Sequence, residues 1–434
     1  EASFRAPQTP AEQIVAGIFA DVLHRDRIGV DDNFFELGGN SLVATQVVAR
    51  ISDAFGTRLG VRTLFESPTV AGIAARAEST PADESRQPLV AQQLPDRVPL
   101  SLAQQRMWFI NQFDPTAPTY NLPFVIRMHG QVDLAALHAA FRDVVQRQQS
   151  LRTIYPESGD GGYQLVLPMD QVDIDIPVEA IDAAELPAAL AEFAATGFDV
   201  TRELPFRGRI YEVTGGRSNG TAEYAVAFVL HHIAADGFSF GPLSRDVAAA
   251  YLARAAGSEP QLPPLSVQYQ DFSVWQRTVL GAESDPDSIA ARQIAYWRQQ
   301  LAGLPDQLDL PTDRPRPPVQ SFHGSRVSFE IDADMHARLE ALARRNGVTL
   351  FMVLHASLSV LLARLSGTTD IAIGTPVAGR GEAALDDLIG MFVNTLVLRS
   401  EVEGGRSVTE LLADTRERDL AAFAHADVPF ERLG

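Results

Sequence analysis

The feature that most constrains this chain is a stretch of 20 residues, STPADESRQPLVAQQLPDRV (79–98), that has no hydrophobic periodicity. Its prolines and polar side chains are typical of a linker. Before it the sequence predicts only helices, and after it strands and helices alternate. The chain has 434 residues, too many for one small core, so we expect two or three domains. At about 3.3 Å per residue the extended linker would span roughly 66 Å, so we expect the first domain to swing widely.

Composition excludes several classes of function. The chain has no cysteine, and all 36 of its basic residues are arginine, so disulfides, thiolate zinc sites and catalytic lysines are absent. Its net charge of −19, with no basic tract, argues against a nucleic-acid partner. The longest apolar stretch, 350–363, is too short to span a bilayer, and no signal peptide is visible. We therefore expect a cytoplasmic protein with no membrane partner.

The first 78 residues predict a small all-α domain. In TPAEQIV, Thr9 is suited to cap a helix, Pro10 to begin it and Glu12 to complete a capping box. A second amphipathic helix is predicted from about Ser41 and a short one from Ser67-Pro68. These helices can close one small core.

The chain after the linker predicts two α/β lobes of similar content, at 99–281 and 282–434. In the first lobe, YNLPFVIRMHG and AEYAVAFVLHHI are predicted strands, and LRTIYPESGDGGYQLVLP is a predicted hairpin. In the second lobe, SRVSFEID (325–332) and DIAIGTPVAG are predicted strands that flank two helices.

Ser41 follows Gly38-Gly39-Asn40 at the start of a predicted helix. Glycines turn the chain sharply, and the N–H groups of a helix N-terminus favour a phosphodiester. The alternative is that Ser41 only caps the helix, which stabilises it by about 1 kcal/mol. The four residues by themselves favour the capping role.

His231 and His232 end an apolar strand and precede Asp236-Gly237. Adjacent strand residues point to opposite faces, so the two imidazoles cannot easily bind one metal ion, and we expect no metal site here. One ring should lie in the core, and the other should face a cleft as a base or hydrogen-bond partner. The alternative is a pair of structural histidines.

The longer stretch IGVDDNFFELGGNSLVATQVVARI (28–51) resembles the core motif of peptidyl carrier proteins from nonribosomal peptide synthetases. The resemblance implies that Ser41 receives 4′-phosphopantetheine. The donor of that group would be coenzyme A, through a separate phosphopantetheinyl transferase.

HHIAADG resembles the HHxxxDG motif of condensation domains, which are related to chloramphenicol acetyltransferase. Further family motifs resemble LSLAQQRMWFINQF, RQQSLRTIY, YQDFSVW, IGMFVNTLVLR and HADVPFERL, in that order. Two departures are Gln148-Gln149, where the family usually has His-Glu, and Phe238, where tryptophan is usual. Family members also continue beyond DVPFERLG, so we expect the second lobe to be truncated.

The resemblance implies a multidomain protein, with a small all-α carrier bundle before an α/β condensation domain of two acetyltransferase-like lobes in a V. Such a protein forms an amide between a carrier-bound aminoacyl or peptidyl thioester and the amine of a second thioester. An upstream adenylation domain and a downstream peptidyl carrier domain would be its partners. The resemblance makes His232 the central catalytic residue, as base or as orienting group. It also implies the remaining site residues: His231, Asp236 and Gly237 shaping the loop, Arg152 paired with Asp236, and Asn394 near the cleft.

Two other functions stay open. Epimerisation domains share HHxxxDG and also follow a carrier, although LAQQRMWF, FVNT and DVPFE favour condensation. A non-catalytic platform that only recruits partner proteins is the second alternative, and the intact His232 and Asp236 count against it.

Overall fold

The computed structural model describes residues 4–83, 87–159, 161–214, 222–318 and 324–432, apart from the side chains of residues 41, 42 and 431. The chain divides into two compact units. The first contains Glu1–Pro88, Gly281–Ala383 and Asn394–Gly434, and the second contains Leu89–Leu280 and Ala384–Val393.

The N-terminal part of the first unit is the predicted helical bundle. Thr9 and Glu12 form the expected capping box, with Pro10 as the first helical residue. Phe19, Phe34 and Ile51 are completely buried in its core. The helices are α1 (Pro10–Leu23), α2 (Ser41–Phe55), α3 (Val61–Glu66) and α4 (Val70–Ser79).

The second unit is built on a four-stranded sheet in the order β2-β8-β7-β6, in which only the β6–β7 pair is parallel. Strand β8 lies between β2 and β7, and its residues from Ala225 to His231 are buried, as an apolar central strand requires. Helices α6 and α8 pack against each other, and their apolar side chains join the sheet core. The predicted hairpin is present as three short strands, β3, β4 and β5. The elements of this unit are β1 (Val98–Pro99), α5 (Leu102–Phe113), β2 (Asn121–His129), α6 (Leu134–Arg147), β3 (Thr153–Ile154), β4 (Glu157–Ser158), β5 (Gly161–Val166), β6 (Val178–Asp182), α7 (Leu186–Ala194), β7 (Phe206–Thr214), β8 (Glu223–His231), α8 (Phe240–Ala255) and α9 (Tyr269–Leu280).

The C-terminal part of the first unit has less sheet than expected. Its two strands form one antiparallel ladder, and the predicted strand at 325–332 is not formed, so the expectation of two lobes of similar content is wrong for the described residues. Val327 and Phe329 are 86% and 87% exposed, and a strand needs a partner backbone, which no described segment provides. The elements are α10 (Ile289–Gln300), α11 (Ala333–Arg345), α12 (Leu350–Ser366), β9 (Asp370–Val377), β10 (Asn394–Glu401) and α13 (Val408–Phe423).

The helical bundle contacts the C-terminal part of its own unit, in part through α3. Arg62 of α3 forms a bidentate ion pair with Glu417 of α13, at 2.7 Å for the shorter bond. The guanidinium of Arg416 lies 5.9 Å from the ring centroid of Phe65. Both partners of the ion pair are about half exposed, at 47% and 54%, so this ion pair by itself contributes little.

The predicted linker is tied down at both ends. Ala82 pairs with Thr57, and the Asp83 N–H donates to the Gly56 carbonyl of the bundle. At the other end Leu89 is buried in the core of the second unit, and Gln92 makes two hydrogen bonds to Asp271. Residues from 89 onward are therefore part of the second unit, although the composition indicated a linker up to residue 98.

Across the described residues no single helix is long and apolar enough to cross a membrane. Helices α11 and α12 reach that length and hydropathy only as a pair, with a bend of 102° between them.

Candidate functional site

The loop before α2 shows why a serine can stand at position 41. Gly38 has a φ of +104°, which favours glycine, and a Cβ on Gly39 would clash with the ring of Phe34. The Asn40 side chain accepts the Val43 N–H at 3.1 Å, and its carbonyl accepts the first helical bond, from Ala44. Asn40 is therefore the N-cap, and Ser41 is the first residue of the helix. The alternative that Ser41 caps this helix is wrong, so capping does not explain a serine there.

The two histidines lie in different environments at the end of β8. His231 is 2% exposed and lies near the rings of Tyr120 and Phe198, with ring centroids 6.3 and 6.0 Å away. Its Nδ1 accepts the Ile233 N–H at 3.1 Å. Burial, with a smaller contribution from the neighbouring His232, lowers the pKa of His231 to about 3. His231 is thus a neutral structural imidazole.

His232 is the partly exposed member of the pair, as the alternation of strand residues predicts. Its backbone N–H donates to the Tyr120 carbonyl at 2.8 Å, which fixes the turn after β8. Its Nδ1 is buried and has no hydrogen-bond partner among the described residues. A buried polar atom without a protein partner is uncommon and calls for a functional or solvent explanation.

Asp236 is completely buried and organises the loop that follows the histidines. Its Oδ1 accepts the Ser239 N–H at 2.9 Å and the Ser239 hydroxyl at 2.8 Å, which caps the short 3₁₀ helix Gly237–Ser239. Its Oδ2 accepts the Phe392 N–H at 3.0 Å. Gly237 is exposed, with open space where a Cβ would stand.

The predicted pairing of Asp236 with Arg152 is wrong. The Arg152 guanidinium donates to the Leu167 carbonyl at 2.5 Å, and its Nε is buried with no partner among the described residues. Desolvation lowers the pKa of Arg152, and no carboxylate opposes that effect. Backbone N–H and hydroxyl groups stabilise the Asp236 carboxylate instead.

Asn394 has a bracing role. Its Nδ2 donates to the carbonyls of Ala426 and Val428, and its Oδ1 accepts the Phe430 N–H. The side chain thus holds the ADVPF segment beside the start of β10. Ser41 and Asn394 belong to the first unit, whereas His231, His232, Asp236 and Gly237 share one loop of the second.

A second histidine cluster was not predicted. In the first unit His355 Nδ1 lies 3.0 Å from Asp419 Oδ1, and its Nε2 lies 3.3 Å from Ser400 Oγ. This is the order of a serine–histidine–aspartate triad, but each residue is at most 5% exposed, so substrate cannot reach it. Only the burial of these three side chains distinguishes this structural network from a catalytic one. Burial could not be predicted from the sequence here, because the three residues lie far apart in the chain. No group of three or more metal-ligating side chains is found within the described ranges.

Two features indicate the class of protein to which this chain belongs. One is a helical bundle with a serine at the start of α2, and the other is an α/β unit with a histidine loop. Family models for the phosphopantetheine attachment site and for the condensation domain match residues 13–77 and 95–434. The chain therefore belongs to the condensation-domain family and includes a phosphopantetheine-binding carrier domain, as found in nonribosomal peptide synthetases.

Relatives among curated proteins agree. A dimodular nonribosomal peptide synthase of Bacillus subtilis is 46% identical over 431 residues, which is 99% of this chain and 18% of that protein. An isonitrile lipopeptide synthase of Mycobacterium tuberculosis is 42% identical over 414 residues, 94% of this chain and 16% of that protein. The chain thus spans less than a fifth of these relatives.

Solved structures agree on the fold. The X-domain from teicoplanin biosynthesis is 33% identical with a TM-score of 0.73, and the match covers 80% of this chain and 75% of that one. The first condensation domain of the CDA synthetase is 22% identical with a TM-score of 0.60, and 78% of each chain is covered.

Proposed function

We propose that this chain forms amide bonds between two thioester-bound building blocks. The observation that carries the proposal is His232, a partly exposed imidazole with an unpartnered Nδ1 among the described residues, on the loop that Asp236 and Ser239 fix in place. The condensation-domain family supports this assignment, and His231 is buried with its Nδ1 already bonded, which leaves His232 as the partly exposed member of the pair.

The reaction needs a donor thioester and an acceptor amine. The amine attacks the thioester carbonyl, a C–N bond forms and the C–S bond breaks. The amine loses a proton, and the departing thiolate gains one. His232 can accept the proton or can orient the amine through a hydrogen bond. Since a thioester is already activated, orientation could supply much of the rate enhancement.

Ser41 is the proposed attachment point of the donor. A flexible phosphopantetheine arm supplies the thiol that holds the building block as a thioester. The residues fit that role, since Asn40 already caps α2 and the glycines leave the loop compact. A separate transferase that uses coenzyme A would attach the arm, an upstream adenylation domain would load it, and a downstream carrier would bring the acceptor.

The proposed domain limits are 1–78 for the carrier, 79–98 for the linker, and 99–281 and 282–434 for the two lobes. The end of α4 at Ser79 supports the first boundary. The burial of Leu89 indicates that residues from 89 onward pack as part of the first lobe.

The test loads Ser41 with a peptidyl arm, supplies a loaded acceptor carrier and identifies products by intact-protein mass spectrometry. We expect an amide on the acceptor. An inverted α-carbon on the donor would indicate epimerisation, and no reaction would indicate a platform, a role to which the solved complex of the X-domain with OxyB draws attention. Ser41→Ala should abolish loading.

His232→Ala should then lower the single-turnover rate while leaving the fold intact. General acid–base catalysis contributes about 10²–10⁴-fold, so a loss in that range supports a base. A loss of only several-fold supports positioning. An unchanged single-turnover rate with natural substrates would show that His232 is not catalytic.

A further inference from the structure

The segment Ala384–Val393 belongs to the second unit, although the strands β9 and β10 on either side of it belong to the first. Its backbone is held by side chains from the rest of the second unit. Ser239 Oγ accepts the Gly390 N–H at 3.1 Å and lies 3.0 Å from the Gly390 carbonyl oxygen, and the Tyr269 hydroxyl donates to the Met391 carbonyl. A Cβ on Gly390 would clash with the Tyr269 ring, so only glycine allows the backbone to pack this close to that ring.

Gln148 holds the same segment with both ends of one carboxamide. Its Nε2 donates to the Asp387 carbonyl at 2.8 Å, and its Oε1 accepts the Ile389 N–H at 3.0 Å. The side chain is 1% exposed. An imidazole at this position has one donor and one acceptor on different sides of its ring, so it cannot reproduce both bonds as one planar amide does.

The side chains of Gln148 and Asp236 bind the same short stretch of backbone. Gln148 binds at 387 and 389, and Asp236 binds the N–H of Phe392. Asp236 also fixes the loop that begins at His232. A shift of residues 387–392 would therefore move the acceptor contacts of Asp236 and, through them, the histidine loop.

We propose that Gln148 is a positioning residue for amide formation, which acts through residues 387–392 and Asp236 on the loop that bears His232. This inference rests on the proposed function. Gln148 need not touch substrate, because a misplacement of about 1 Å away from the reacting atoms can cost roughly 10²-fold in rate.

The charges around Gln148 make a pH test possible. Asp246 Oδ2 lies 3.4 Å from its Nε2 and is paired with Arg147, at 2.9 Å, and with Arg245. The Asp387 carboxylate is also paired with Arg245. These charges largely balance, so burial dominates, and the glutamate of Gln148→Glu should have a raised pKa. When protonated it can donate to the Asp387 carbonyl and accept from Ile389, as glutamine does. When ionised it cannot donate.

The experiment compares single-turnover rates of Q148E, wild type and Q146E in the full chain from pH 8 to pH 6, each normalised to wild type at the same pH. Gln146 is exposed in the last turn of α6, just before Gln148, so Q146E adds the same charge without touching the segment. At pH 8 we expect Q148E to be slower by about 10²-fold, with at least about tenfold recovery by pH 6. Q146E should follow wild type. The Ile389 and Phe392 amides should exchange faster in Q148E at pH 8 and regain protection at pH 6.

Q148H tests the same proposal if Q148E does not fold. Q148H retains one bond at most, so its rate should fall below wild type without the pH recovery. The proposal is overturned by wild-type rates in Q148E or Q148H at pH 8, or by a pH-independent loss with unchanged amide protection. If wild type itself forms no amide, the proposed function fails instead, while the exchange data still report on the Gln148 contacts.

Discussion

His231 and His232 show at the residue scale how one position along a strand changes a side chain's chemistry. His231 lies in the aromatic core with its Nδ1 occupied, and His232 lies at the partly exposed turn. The burial of His231 links the stability of the fold to pH, because protonation of that ring is excluded only in the folded state.

The pKa of His231 is about 3 when folded and about 6.5 when unfolded. Between these values only the unfolded chain binds the proton, so the stabilising contribution is complete above pH 6.5 and is lost as the pH falls toward 3. The loss is at most about 1.4 kcal/mol per pH unit.

The amide oxygen in His231→Gln can accept the Ile233 N–H and does not titrate. We expect the stability advantage of wild type over His231→Gln to shrink by about 2 kcal/mol from pH 6.5 to 4.5, in urea unfolding. An advantage that is constant with pH would contradict the burial of a neutral ring.

Asp236 should stabilise the fold independently of Arg152. Asp236→Asn can keep one oxygen toward Ser239, but its NH₂ group then faces the Phe392 N–H, which leaves a buried donor unpaired and costs about 1–3 kcal/mol. Arg152→Met should have a smaller effect, because it removes a partly buried charge that has no carboxylate partner.

A double-mutant cycle checks this directly. The unfolding free energies of the two substitutions should add to within about 0.5 kcal/mol. A coupling energy above about 1 kcal/mol would instead support the Asp236–Arg152 ion pair that the sequence resemblance implied.

At the scale of elements, the structure shortens the stretch that the composition assigned to a linker. Leu89 is buried, and β1 is paired with β5 from Val98 onward, so residues 89–98 belong to the second unit. Residues 89–98 are thus packed and are not available as a tether.

Limited digestion with trypsin can test whether residues 89–98 pack against the second unit. Arg97 precedes the paired Val98, and we expect it to resist cleavage in wild type. Leu89→Asp places a charge in the core and should expose the bond after Arg97 by local unfolding. Val90→Asp is the matched control, because Val90 is 56% exposed. Equal cleavage after Arg97 in all three proteins, by mass spectrometry of early fragments, would show that residues 89–98 are not held.

At the scale of the whole molecule, the Arg62–Glu417 ion pair is one contact between the helical bundle and the C-terminal part of its unit. An ion pair with both side chains about half exposed contributes no more than about 1 kcal/mol, and salt weakens it further. Under the proposed function, such an ion pair suits a carrier that leaves to collect and deliver its load.

Spin labels can measure this exchange, since the chain has no cysteine of its own. Labels at Ile14→Cys and Met335→Cys, both on exposed positions, should give a broad distance distribution. Arg62→Glu should shift it to longer distances, and adding Glu417→Arg should restore the short ones. Arg76→Glu is the control, because Arg76 pairs with Glu66 inside the bundle. One narrow distance, unchanged by salt or by Arg62→Glu, would show a fixed dock.

Much of this molecule follows from local sequence. Capping residues, apolar periodicity and strand alternation predicted the helical bundle, the central strand β8 and the opposite environments of His231 and His232, because each depends on neighbours a few residues away. The roles of Asp236, Arg152, Gln148 and Asn394 could not be predicted in this way. Their partners lie as many as 241 residues away, as for Gln148 and Ile389, and are mostly backbone groups, which every residue type presents alike. Only the tertiary fold decides which backbone N–H a buried carboxylate meets, and it placed Phe392 rather than Arg152 beside Asp236 because residues 384–393 pack with the second unit.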